Sequence, residues 1–167
     1  MVLEEINTIA LRTEAPDHIS TWKQFSKSEI SLFHTLSIFR QLASAVACLN
    51  ENGIIHRDVH PTRLHMHNGI LKFNIFGLPY NLKKLMTSET ATGHLNFTAP
   101  EQICERNQIH CTSDTWSLGC CLYYLITKQD PFQGRNISET KQNILQLRLD
   151  SNDELKYHKA ILSKLVY

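Results

Sequence analysis

Between Trp116 and Ile126 runs WSLGCCLYYLI, eleven residues with few polar side chains. A helix needs roughly 20 apolar residues to cross a bilayer, so this run is too short to span one. A helix that is apolar around its whole girth must instead be enclosed by its own chain. The neighbouring sequence supplies the enclosure. From Ser28 to Asn52, Leu32, Leu36, Phe39, Ala43, Val46 and Leu49 recur at helical spacing, which predicts an amphipathic helix over 28–52. Ser28 or Ser26 is placed to cap its start, and Gly53 to end it in left-handed backbone. The buried helix is predicted over 113–128, where Asp130-Pro131 breaks it. Further amphipathic patterns over 138–148 and 153–166 extend a helical subdomain to residue 167.

Two short strands are expected at RLHM (63–66) and ILKF (70–73). Between them lies His67-Asn68-Gly69, and Asn-Gly between apolar runs is a strong hairpin signal. Residues 6–28 are polar, and residues 77–98 form a long segment rich in Thr and Ser, a length usual for functional or disordered loops. The fold expected is mainly α with one small β-hairpin, and its irregular polar centre is the place to look for function.

With 167 residues, 42% hydrophobic and 20% charged, the chain can bury one core. Seventeen basic against sixteen acidic residues leave a formal charge of +1, which gives no broad footprint for nucleic acid or an anionic membrane. Neither is an expected partner, and Lys83-Lys84 reads as a solvated loop. Five cysteines without a C-x-x-C, and an N-terminus without a secretory signal, predict reduced thiols in a soluble protein of the cytosol or nucleus. The sequons at Asn96 and Asn136 are then expected to stay unmodified.

The centre reads GIIHRDVHPTRLHMHNGILKFNIFG over 53–77. It contains His56-Arg57-Asp58 and Phe76-Gly77. Ala99-Pro100-Glu101 and Asp114-x-Trp116-Ser-x-Gly119 follow in that order, with 17 residues from Asp58 to Ile75. In this order and spacing the chain resembles a eukaryotic protein kinase of the Ser/Thr class, polo-like or NIMA-related in kind. The resemblance covers nearly all of residues 1–167 but only the C-terminal lobe of that fold. Residues 1–5 resemble the hinge between lobes, 53–77 the catalytic loop and hairpin, and 78–101 the activation segment. The glycine-rich loop, strand lysine and paired helix glutamate of the N-terminal lobe have no counterpart here. The arginine that usually pairs with the Glu101 position is expected beyond Tyr167.

The resemblance implies a role for each of these residues. Asp58 falls at the catalytic base that takes the proton of a substrate hydroxyl. His60 stands where the family has lysine, Arg63 where it has a magnesium-binding asparagine, and Ile75 where it has a magnesium-binding aspartate. His94 replaces the threonine that ties the activation segment to the base, and His65 an aliphatic residue under adenine. His56, Phe76, Gly77, Glu101, Asp114, Trp116 and Gly119 match structural positions, with Asp114 the anchor of the catalytic-loop backbone.

The substitutions bear directly on chemistry. Ile75 has no donor atom, and magnesium takes oxygen ligands. Arg63 puts a cation where a dication belongs. At ~4 Å and an effective dielectric of about 20, that repulsion is about 4 kcal/mol per unit charge. The resemblance thus implies a degenerate, pseudokinase-like site with no cofactor, in which Asp58 serves local hydrogen bonding. Its partner would be another protein, a kinase or a kinase substrate. ATP with magnesium is expected only if Asp58 is a working base, with an N-terminal lobe from a longer isoform or a partner. A truncated fragment without a separate role is the third reading.

Smaller features invite their own readings. His60, His65 and His67 match no strong zinc spacing, and histidines without a metal are expected. Thr87, Ser88, Thr90 and Thr92 are candidate phosphoacceptors with Arg57 as phosphate partner, or simply exposed loop residues. Arg63 and His60 together also offer a metal-free site for nucleotide phosphates.

Overall fold

A computed structural model describes residues 31–67, 70–73, 95–104 and 110–149. The first helix, α1, spans Leu32–Glu51. Ser31 caps it with extended backbone, its hydroxyl accepting the His34 N–H at 3.3 Å. This places the start three residues after the expected Ser28, which lies outside the described residues together with Ser26. The buried stripe is Thr35, Ile38, Leu42 and Val46, at steps of three and four. Leu36, expected in that stripe, is 49% exposed. It sits about 200° around the helix from Ile38, which turns it away from the core. Phe39 and Ala43 pack on the flank.

Asn52 ends α1 and Gly53 follows in left-handed backbone, φ +71°. Gly53 N–H donates to the Asn50 carbonyl at 3.0 Å and Ile54 N–H to Leu49 at 2.9 Å. These two bonds form the Schellman arrangement, which satisfies carbonyls that a helix end leaves open.

A 3-10 turn, Pro61–Arg63, leads into β1 (Leu64–His67), and β2 (Ile70–Phe73) returns antiparallel. Leu64 faces Phe73 and His67 faces Ile70 in register. The first strand therefore begins one residue later than expected, and Arg63 belongs to the turn. The cause is local: His60 caps the turn and Pro61 opens it with a fixed φ. Leu64 and Leu71 are buried in the core. The Leu71 N–H donates to Gln41 Oε1 at 2.9 Å, tying β2 to α1.

Three helices complete the described chain: α2 (Pro100–Ile103), α3 (Cys111–Thr127) and α4 (Ile137–Leu145). The apolar run forms α3, buried from Leu118 to Tyr123 and packed against α1. Burial pushes the Cys120 and Cys121 thiols well above the ordinary range, so both behave as small apolar side chains. Lys128 ends α3 in left-handed backbone, its N–H on Tyr124 O at 2.8 Å. Beyond it, Phe132 stacks on Trp116 with ring centres 5.4 Å apart. Gly134 leaves no room for a side chain, since a Cβ there would lie 2.5 Å from Thr140 N. Asn136 caps α4 through the Glu139 N–H at 2.9 Å, and Ile144 of α4 reaches the core. The pattern over 153–166 lies outside the described residues. Among those described, no helix is long and apolar enough to cross a membrane.

Candidate functional site

The segment between α1 and β1 is short, irregular and tied at nearly every residue. Asp114, in the first turn of α3, is fully buried. Its carboxylate accepts the His56 N–H at 2.7 Å and the Arg57 N–H at 2.8 Å. Carboxylate acceptors make such bonds roughly twice as strong as neutral ones. Arg57 adopts left-handed backbone, φ +67°, which is unfavourable for a residue with a Cβ. Besides Asp114, Gln102 holds it, donating from Nε2 to the Arg57 carbonyl at 3.4 Å while its Oε1 accepts Ala99 N–H at 3.1 Å. The strained residue is thus fixed from α2 and α3 together.

His56 is buried, and its Nδ1 accepts the Asp58 N–H at 3.3 Å. Burial pushes this imidazole below its ordinary value; Asp114 and Asp58 oppose that pull and Arg63 adds to it. Next in sequence, buried Val59 presents its carbonyl to the Cys121 thiol at 3.9 Å.

On this frame stands the Asp58 carboxylate, partly exposed at 19%. Arg63 Nε donates to Oδ2 at 2.9 Å, and His60 Nε2 lies 3.2 Å from Oδ1. Each carboxylate oxygen therefore faces a residue that departs from the family pattern, Arg63 or His60. His60 is buried, and its other nitrogen, Nδ1, accepts the Thr62 N–H at 3.3 Å. A ring nitrogen that accepts carries no proton, so the neutral imidazole holds its proton on Nε2, which is close to Asp58 Oδ1 but not aligned for a hydrogen bond with it. The Thr62 hydroxyl lies 2.9 Å from the same Nδ1.

This arrangement does not fit a divalent cation at position 63. The Arg63 guanidinium occupies the space beside Asp58, supplies no oxygen, and is held there by the carboxylate that would help bind a metal. Among the described residues, no group of three or more His, Cys, Asp or Glu is placed to hold a metal. His65 is partly buried, with both ring nitrogens enclosed and without a hydrogen-bond partner among the described residues.

The remaining residues singled out from the sequence are distributed as follows. Trp116 and Gly119 lie in α3, Trp116 half-buried against Phe132 and Gly119 buried. Glu101, in α2, accepts the Ser113 hydroxyl at 2.6 Å, a partner that motif reading did not supply. Arg57 exposes its side chain. Ile75, Phe76, Gly77, His94, Thr87, Ser88, Thr90 and Thr92 lie outside the described residues. Motif reading also missed Gln102 and Thr62, and included Ser117 without giving it a role. Ser117 donates to Phe97 O at 2.7 Å, bringing the segment before α2 onto α3. Only Thr62 left a local trace, a hydroxyl two residues after a histidine with proline between them.

Comparison with known proteins agrees with this architecture. Residues 2–165 match the protein kinase domain family. The serine/threonine-protein kinase nekl-2 of Caenorhabditis elegans is 34% identical over 119 residues, 66% of this chain and 33% of that protein. The probable serine/threonine-protein kinase PLK of Dictyostelium discoideum is 33% identical over 114 residues, 68% of this chain and 12% of that one. Calcium-dependent protein kinase 6 of Plasmodium berghei is 30% identical over 168 residues, 98% of this chain and 11% of that protein. The chain therefore spans a third or less of the length of these relatives. With the motifs and the anchored loop around Asp58, these matches place the chain in the eukaryotic Ser/Thr protein kinase family.

Proposed function

We propose that this chain is a kinase-fold module without phosphoryl transfer of its own, and that it works by binding another protein. One observation carries the reading: both oxygens of Asp58 face the residues that replaced the family's lysine and asparagine, Arg63 at 2.9 Å and His60 at 3.2 Å. A base that orients a substrate hydroxyl needs an oxygen free to accept it. Here a hydroxyl would have to compete with a guanidinium already in place. The loss is also electrostatic, since catalysis of phosphoryl transfer rests on cations around the phosphates, and the Arg63 charge is already paired with Asp58. That pairing likewise weighs against the metal-free phosphate site offered by Arg63 and His60. Fold-bearing contacts such as Asp114 to the loop persist, as a module that must present kinase-shaped surfaces requires. Phe33 and Ile70, 84% and 58% exposed, leave apolar side chains available to a partner.

A thermal-shift titration with ATP, with and without magnesium, tests the proposal. A ligand at a hundredfold excess over its dissociation constant stabilises by about 2.7 kcal/mol. We expect no shift in either condition. A magnesium-dependent shift, together with phosphate transfer to a generic Ser/Thr substrate that Asp58→Asn abolishes, would overturn it. That outcome belongs to the second reading, an active Ser/Thr kinase using Asp58 as base, which the intact anchoring of the loop by Asp114 supports.

A further inference from the structure

Between the loop that precedes α4 and the turn that follows it lies a cavity of about 390 Å3, within the range of ligand pockets, roughly 300–1,000 Å3. Its walls are held by the chain itself. Gly134 N–H donates to the Thr140 hydroxyl at 3.0 Å, and Arg135 N–H to Glu139 Oε2 at 2.7 Å. Asn143 Nδ2 reaches the Phe132 and Gln133 carbonyls, each at 3.4 Å. After α4, Leu147 turns in left-handed backbone and Arg148 N–H returns to Asn143 O at 2.8 Å. The turn thereby brings Arg148 and Leu149 to the cavity that Arg135 also lines.

Two arginines and one glutamate line the cavity, a net charge of +1 gathered in one place, where the whole chain of 167 residues carries no more than +1. Both arginines are exposed, and among the described residues neither makes an ion pair. Glu139 is engaged as acceptor for the Arg135 backbone. A guanidinium presents a planar fork of donors that matches carboxylate and phosphate oxygens, and two of them suit a dianion better than a single charge. A phosphoryl ester carries about −1.5 to −2 charge and three acceptor oxygens. None of the lining side chains is aromatic, so nothing there stacks on a nucleotide base. Exposed Gln133 instead offers an amide donor and acceptor to a peptide backbone.

We propose that this cavity docks a phosphoserine or phosphothreonine of a partner protein, with Arg135 and Arg148 pairing its phosphoryl oxygens. The volume admits a whole modified side chain and not merely a bare ion. The inference deepens the function proposed above and rests on it, since it supplies the surface and the chemistry through which the module binds. None of the lining residues belongs to the Asp58 site.

The experiment is an NMR titration of the full chain with N-acetyl-O-phosphoserine methylamide, following the backbone amides of Gly134, Arg135, Glu139 and Asn143. N-acetylglutamate methylamide and inorganic phosphate are titrated in parallel. Arg40, exposed on α1, lines no part of the cavity, and its amide reports non-specific attraction. The phosphoserine probe should shift the cavity amides to saturation and leave Arg40 in place, with the other two binding at least about tenfold more weakly. A hydrogen bond to a charged group is worth about tenfold or more in affinity, so Arg135→Gln and Arg148→Gln should each weaken the probe by about that factor. Glu139→Gln keeps an oxygen for the Arg135 N–H and removes the repelling charge, so it should tighten binding by up to about fivefold. Cavity amides that move no more than Arg40 overturn the proposal, and so does binding that survives substitution of both arginines. Equal affinity for the glutamate analogue overturns the phosphoryl assignment, and equal affinity for inorganic phosphate overturns the peptide one. ATP is absent throughout, so a magnesium-dependent ATP shift would overturn the function proposed above and leave the result of this titration standing.

Discussion

Replacing Asp114 with Asn removes one charge and turns one hydrogen-bond acceptor into a donor, at a site that solvent does not reach. Asp114 is 0% exposed and accepts two backbone N–H groups, from His56 at 2.7 Å and Arg57 at 2.8 Å. Bonds to a charged group contribute about 1.5–3 kcal/mol each. The Asn side chain keeps one acceptor oxygen, worth about 1 kcal/mol as a neutral bond, and turns its NH2 toward the second N–H. The expected loss is about 2–4 kcal/mol, a large part of the stability of a typical domain. Urea unfolding should show it as a midpoint lower by about 1–2 M at the slopes usual for small proteins. Because Asp114 also supports protonation of His56, the variant should push that imidazole lower still, visible by NMR titration of the ring protons. A loss below about 1 kcal/mol would refute the argument, because it would mean the His56 and Arg57 amides find other acceptors.

Gly53→Ala places a Cβ where nothing lies within 4 Å, so only the left-handed backbone opposes it; the expected cost is about 1–2 kcal/mol in urea unfolding. Acid should weaken the fold through His56. Its folded pKa lies below the ordinary 6.5, so the unfolded chain binds the proton more readily. The contribution is fully present above about pH 6.5, falls as pH drops through the lowered folded value, and then levels off. His56→Gln retains an acceptor for the Asp58 N–H without titrating. Its urea midpoint should fall less between pH 7 and pH 5 than that of the wild type, and an equal fall would refute the assignment.

How much of this was legible in the sequence depends on the range of the interaction. The apolar run at 116–126 could only be a buried helix, and it is one. The glycine after α1 and the break at Asp130-Pro131 also act where local backbone chemistry puts them. The hairpin was legible in kind but not in register, because Arg63 reads as a strand residue until His60 and Pro61 draw it into a turn. Leu36 was misassigned because several leucine patterns fit one helix, and only α3 and β2 select which face is covered. The family motifs located Asp58, His60 and Arg63, yet no motif says that the two replacements turn toward the aspartate. Arg57 beside them is left-handed and held by Asp114, which the motif did supply, and by Gln102, a long-range contact with no local signature. Glu101 shows the same limit: its described partner, Ser113, is twelve residues away and follows from how α2 meets α3.

Gln41 has a consequence for how the protein behaves in a crowded solution. Among the described residues the sheet is a two-stranded ribbon; such a ribbon has only edges, and each outward N–H invites a strand from another molecule. On β2 the donor at Leu71 is already engaged by the Gln41 side chain of the neighbouring helix. An incoming strand would have to displace that amide and then meet the flank of α1 rather than open water. At that one position a glutamine thus takes the place that a third strand takes in a larger sheet. It helps keep the chain from zipping onto copies of itself.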